Sequence, residues 1–264
     1  MTGDWRADGM RVLVTGGTSG LGEAMAAALL DAGASVVVTS RDQGRAAAAA
    51  RRLGRGCLGL GMDVRDEAEV ERGTDSVHQQ LGGLDVLVNN AGIGMRTVNP
   101  RFFSDPRPFW DVPAGGFRDV VATNLTGYFL VARAVVPRFV AAGKGRVVNV
   151  SMNHSTMNRK GFVPYGPARA GAEALARIME ADLAGTGVTA NILLPGGATA
   201  TGMIPEGLPA EHRAQLLAPE VMGPPIRWLC SPEAAGVHGE RLVATGFEAW
   251  LAARRTHAGD VTPA

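Results

Sequence analysis

Thr15-Gly16-Gly17-Thr18-Ser19-Gly20-Leu21-Gly22 follows an apolar run at Arg11–Thr15 and leads into an Ala-rich segment at Glu23–Ala32. A glycine-rich turn between a strand and a helix is compatible with few folds. Its glycines permit a tight turn and let backbone N–H groups approach an anion at a helix N-terminus, where the dipole favours negative charge. Behind an N-terminal strand, such a turn points to a dinucleotide site, with Gly16, Thr18, Ser19, Gly20, Leu21 and Gly22 as its candidate contacts. The spacing is T-G-x-x-x-G-x-G, not G-x-G-x-x-G.

The rest of the chain repeats the same alternation. Further strands are expected at Ser35–Thr39, Cys57–Met62, Val86–Asn89, Arg146–Val150, Thr189–Leu194 and Arg241–Ala244, with helix-compatible segments such as Arg45–Leu53 between them. Strands apolar at successive positions and separated by helices indicate a parallel sheet covered on both faces. The expected fold class is therefore α/β, a single-domain doubly wound Rossmann fold with a parallel seven-stranded sheet flanked by helices. A length of 264 residues suits one large domain. That domain is expected over residues 10–250, with a flexible N-terminal tail at 1–9 and a C-terminal tail at 251–264. Two Pro-rich segments, Met95–Phe117 and Thr199–Pro225, interrupt the rhythm after strand ends, where such sheets bind ligands, and both are expected to contact substrate.

The second strand ends at Thr39-Ser40-Arg41. An acidic residue at position 40 would accept from a ribose 2′-hydroxyl. Neutral Ser40 and cationic Arg41 suit a 2′-phosphate, so NADP(H) is the expected cofactor. A formal charge of +1 supports neither nucleic-acid nor membrane-surface binding. No metal site is expected, because no ligand set clusters at metal spacing. Cys57 and Cys230 are too few for a disulfide framework, and the polar start has no apolar leader segment. No run approaches the roughly 18 apolar residues of a membrane span. These features suggest a cytoplasmic protein acting on a small-molecule substrate.

Tyr165-Gly166-Pro167-Ala168-Arg169 places a phenol and a guanidinium four residues apart, on one face of a helix. From the turn onward the chain resembles the short-chain dehydrogenase/reductase family, from about Met10 to Phe247. Asp63-Val64 is similar to the pair that holds the adenine ring, and Asn89-Asn90-Ala91-Gly92 to the signature at the end of the fourth strand. Asn124 resembles the asparagine that positions a water in the proton relay. Pro195-Gly196, followed by Thr199 and Thr201, resembles the loop bordering the nicotinamide. The resemblance implies hydride transfer between a nicotinamide and a carbonyl or alcohol. It also implies a homodimer or homotetramer formed through helices at Val120–Phe139 and Tyr165–Ala184.

Two of that family's four catalytic positions depart here. The serine should lie three residues after Asn149 and thirteen before Tyr165, and both counts reach Met152, which has no hydroxyl to donate. Ser151 is a candidate substitute through a local bulge, and Asn153, His154 or Ser155 through a turn. Arg169 stands at the lysine position. It can still contact ribose hydroxyls but cannot relay a proton by losing one. The expected site is therefore Tyr165, Asn124, Arg169 and Ser151 for catalysis. The glycine turn, Arg41, Asp63, Val64, Asn90, Ala91, Gly92, Pro195 and Gly196 serve the cofactor, together with Tyr165 and Arg169. Three functions stay open: an NADP(H)-dependent oxidoreductase acting on a small apolar or aromatic carbonyl or alcohol, a non-redox dehydratase, isomerase or cyclase using Tyr165, or a non-catalytic cofactor-binding protein.

Overall fold

The computed structural model describes residues 3–54 and 56–259, the side chains of 257–259 excepted. Its first half runs β1 (Arg11–Val14), α1 (Gly20–Asp31), β2 (Ser35–Ser40), α2 (Gln43–Leu53), β3 (Cys57–Gly61), α3 (Glu67–Leu81) and β4 (Val86–Asn89). Then α4 (Ala114–Val121) passes through a π turn (Ala122–Thr126) into α5 (Gly127–Ala141), followed by β5 (Gly145–Val150), α6 (His154–Met157) and α7 (Tyr165–Leu183). The chain closes with β6 (Val188–Leu194), α8 (Ala210–Arg213), α9 (Gly223–Cys230), β7 (Arg241–Val243) and α10 (Phe247–Gly259). Each expected strand is present, with ends within a residue of those expected.

The seven strands are all parallel, in the order β3-β2-β1-β4-β5-β6-β7. Alternate side chains of each strand leave by opposite faces. Val12 and Val14, Val36 and Val38, and Val86 and Val88 join one core cluster, shared with Met25 of α1 and Ile226 of α9. Leu13, Val37 and Leu87 enter the other, with Val70 of α3 and Val131 of α5. Burial on both faces is why these strands read as unbroken apolar runs. The chain direction across the sheet reverses between β1 and β4, which opens a ligand crevice at their C-terminal ends.

Both expected tails depart from expectation. Trp5 is 4% exposed and packs edge-on against Phe247 at 5.4 Å, and the Ala7 N–H donates to Ala32 O. Trp5 and the buried Ala7 anchor a segment that is otherwise rich in charged residues. At the other end, residues 251–259 continue α10, with Leu251 buried; residues 260–264 lie outside the described residues, as do 1, 2 and 55. Ala114–Ala141 is a continuous 28-residue helix, apolar enough by length and composition to cross a membrane. Its Val131, Val135 and Phe139 instead lie buried against the sheet.

Candidate active site

The glycine turn is shaped by its neighbours just after β4. Gly16 has φ +63°, and a Cβ there would sit 2.8 Å from Ala91 Cα. A Cβ on Gly22 would run into Asn90 Nδ2 and Gly16 O. Asn90 Nδ2 donates to Thr15 O (2.9 Å) and Gly16 O (3.1 Å), while Thr15 Oγ1 accepts from the N–H groups of Asn90 and Ala91. These bonds lace the two strand ends into one cradle. Ser19 precedes α1 with no side-chain capping bond, Arg52 reaches Thr18 O, and Leu21 packs against the core. At the far end Arg41 is exposed beyond β2. The Asp63 carboxylate is held by Arg65 at 2.6 Å, and that bond keeps it below the ordinary carboxylate range. Val64 is buried against Gly127.

Tyr165, Arg169 and Glu173 form a stripe at i, i+4 and i+8 along α7. Arg169 is 4% exposed; its Nη1 donates to Tyr128 Oη (2.6 Å) and Val150 O (3.0 Å), and its Nε is buried without a partner. Its guanidinium carbon stands 5.4 Å from both the Tyr128 and Tyr165 ring centres. Burial opposes its charge, but its contacts with the two tyrosines outweigh burial and raise its pKa, so it stays a cation. Burial raises the Tyr128 phenol, and Arg169 offsets this only in part. Tyr128 therefore keeps its proton and donates it to Val150 O at 3.1 Å.

Ser151 does not take the expected serine role. Its hydroxyl donates to Glu173 Oε2 at 2.6 Å, as the one-residue offset along an extended strand end dictates. Met152 stays at the counted position, and its carbonyl accepts from Arg241 Nη2 at 2.9 Å. His154 Nε2 lies 2.8 Å from Glu173 Oε1, and Arg241 Nε donates to the same oxygen at 2.6 Å. Burial pushes Glu173 up, yet the hydrogen bonds from Arg241, Ser151 and His154 outweigh it and leave the carboxyl below its ordinary value. Asn153 Nδ2 donates to Gly196 O, and Thr245 N–H to Pro195 O, which ties this segment to the loop after β6.

Asn124 sits in the π turn. Its Oδ1 accepts from Ile93 N–H and its Nδ2 donates to Ile93 O, both at 2.9 Å, fixing the backbone just after Gly92. The two Pro-rich excursions meet nearby. Arg96 donates to Gly202 O and Ile204 O and pairs with Glu206, and Phe103 packs on His212. Met203 Sδ stands 4.0 Å from Tyr165 Oη. The aromatic residues divide: Phe102 packs on Phe162, whereas Phe109 and Trp110 are 68% and 71% exposed. Sequence reasoning overlooked Tyr128, Glu173, Arg241, Arg96 and Met203. The spacing of Glu173 from Arg169 was the one available signal, since it continues the Tyr165 stripe.

Sheet order, glycine cradle and the Tyr165 helix together define a doubly wound dinucleotide-binding protein. Residues 10–211 match the short chain dehydrogenase family, and the chain belongs to the short-chain dehydrogenase/reductase family of oxidoreductases. It is 32% identical over 248 residues to the 3-oxoacyl-[acyl-carrier-protein] reductase FabG of Vibrio harveyi, covering 90% of this chain and 97% of that protein. It is also 32% identical over 226 residues to 2-(S)-hydroxypropyl-CoM dehydrogenase 3 of Xanthobacter autotrophicus, covering 84% of each. Among solved structures, the 3-ketoacyl-(acyl-carrier-protein) reductase of Brucella melitensis complexed with NADH superposes with a TM-score of 0.80. That protein is 27% identical, and the match covers 89% of this chain and 96% of the other.

Proposed function

We propose that this chain is an NADP(H)-dependent oxidoreductase acting on the carbonyl or alcohol of a small apolar or aromatic substrate, with a proton relay altered at two positions. The observation that carries the reading is the cradle: Gly16 and Gly22 admit no side chain, and Asn90 spans both strand ends. That shape fits a dinucleotide held by Gly16, Thr18, Ser19, Gly20, Leu21 and Gly22, with Asp63, Val64, Asn90, Ala91, Gly92, Pro195 and Gly196 around it. Exposed, cationic Arg41 beside neutral Ser40 supports the 2′-phosphate form. The nicotinamide, when bound, supplies or takes the hydride. Tyr165 gives or takes the proton at the substrate oxygen, and Arg169 contributes a fixed charge beneath its ring. Asn124 holds the Ile93 backbone and so the wall beside Gly92. Met203 Sδ lies against Tyr165 Oη, on the strap that Arg96 ties down.

Exposed Phe117, Phe129 and Ile178 on α4, α5 and α7 support assembly as a homodimer or homotetramer, which light scattering after gel filtration measures. A second reading, a non-redox enzyme using Tyr165 as acid or base, is favoured by one observation. Ser151 is committed to Glu173 and Met152 has no donor, so the usual hydroxyl is missing.

Fluorescence titration with NADPH and NADH, combined with absorbance at 340 nm over a carbonyl and alcohol panel, tests the two readings. NADPH should bind more tightly than NADH, with slow turnover that Met152→Ser accelerates by up to about a hundredfold, the scale of one oxyanion donor. NADPH binding without turnover in either protein would overturn the redox reading. Substrate conversion with no net change in NADPH would establish the second.

A further inference from the structure

Tyr128 and Tyr165 are the only two tyrosines in the chain, and both pack on Arg169. Tyr128 is 1% exposed, so its hydroxyl needs internal partners, and it has two: it donates to Val150 O and accepts from Arg169 Nη1. Arg169 Nη1 in turn divides its two N–H bonds between Tyr128 Oη and Val150 O. Nη2 lies on the other side, beside Gly92, where an added Cβ would approach it to 2.5 Å. One edge of the guanidinium is therefore fixed in the core. The other edge faces the strand end that borders the cofactor site.

We propose that Tyr128 is a positioning residue that makes an arginine workable at position 169. Tyr128 and Val150 hold Nη1, the Nη2 edge beside Gly92 is turned to the nicotinamide ribose, and the two residues act as one unit. This rests on the cofactor reading above. A lysine's three donors all leave one nitrogen, so it cannot present separate edges to core and cofactor as a guanidinium does. With Tyr128 in place, Arg169→Lys leaves the phenol competing with the ribose for that ammonium. A lysine at position 169 is therefore free to serve the ribose only when Tyr128 is replaced as well.

Wild type, Tyr128→Phe, Arg169→Lys and the double variant are compared by NADPH fluorescence titration, urea unfolding and turnover at 340 nm. Arg169→Lys should weaken NADPH binding about tenfold or more when Tyr128 is present, the scale of one charged hydrogen bond, and less than about threefold on Tyr128→Phe. Equal factors on both backgrounds would overturn the proposal. So would a Tyr128→Phe protein that loses stability but binds NADPH as wild type does, because Tyr128 would then be packing alone. Coupling in NADPH binding with no turnover in any variant would leave this proposal standing and remove only the redox step. No NADPH binding by wild type would remove both.

Should the variants fail to fold, the full chain labelled with 3-fluorotyrosine gives two ¹⁹F signals, assigned by Tyr165→Phe. NADPH should move the Tyr128 signal although that side chain is enclosed. A Tyr128 signal unmoved at saturating NADPH would overturn the proposal.

Discussion

Glu173→Ala removes the carboxylate to which the segment carrying Met152 is bound. Glu173 is 9% exposed and hydrogen-bonds Ser151 Oγ (2.6 Å), Arg241 Nε (2.6 Å) and His154 Nε2 (2.8 Å). His154 is mostly exposed and contributes little. Arg241 decides the magnitude: its side chain is 19% exposed, and without Glu173 its charge keeps Met152 O as an acceptor but has no counter-ion there. Breaking one side of a buried ion pair costs about 3–5 kcal/mol, and partial exposure of Arg241 places this case near about 3 kcal/mol. That is a large share of the roughly 5–15 kcal/mol that holds a domain folded.

Glu173→Gln, which keeps the shape and loses the charge, should cost about 1.5–3 kcal/mol. The folded carboxyl lies below its ordinary value, so the folded state holds fewer protons than the unfolded chain just below that value. Its stabilisation is full above the unfolded value of about 4.3 and is lost as pH falls through the lower folded value. Urea unfolding followed by circular dichroism from pH 3 to 7 reads both effects. The gap between wild type and Glu173→Gln should be widest at pH 7 and shrink in acid. A Glu173→Ala cost below about 1 kcal/mol, the range of an exposed pair, would refute the reasoning. A gap that persists unchanged at pH 3 would do the same.

Arg41→Ser should reduce the preference for NADPH over NADH by about tenfold or more, the scale of one charge-assisted bond, read by parallel fluorescence titrations. Burial pushes the Cys57 thiol up to about 11 and the Cys230 thiol up to about 12. Neither should react with a chromogenic disulfide reagent in the native protein at pH 8, and both should react in urea. Trp5→Ala should cost about 3–5 kcal/mol in urea unfolding, as expected for a buried aromatic removed from a packed cluster, whereas a free tail would lose nothing.

The β-strands were legible because burial on both faces writes itself as an unbroken apolar run, and glycine turns punctuate the runs. The N-terminal segment was not, because its largest anchoring residue, Trp5, finds Phe247 and the α9–α10 aromatic cluster at the opposite end of the chain. The same limit applies to the apolar length of Ala114–Ala141. Hydropathy there measures burial, and the sheet supplies it. Among site residues, the glycine cradle and Asn90 were legible because their roles are local to the two strand ends. Ser151 was misplaced because a single step along a strand end decides which face receives the hydroxyl, and only Glu173, 22 residues on, shows which face that is.

Met152 and Arg169 are tied to the same strand end. Arg169 and Glu173 follow Tyr165 at successive helical repeats, and each is tied to the end of β5, Arg169 through Val150 O and Glu173 through Ser151 Oγ. Met152 is held at the counted position by its carbonyl on Arg241, which in turn is held by Glu173. The backbone frame that would present a serine is therefore kept in place by four side chains while the serine itself is absent. Frames of this kind cost stability to build, since each buries charge and hydroxyls, and here Arg169 Nε is left without a partner. Tyr165, Arg169 and Glu173 thus share one face of α7, and the last two are bonded to the end of β5.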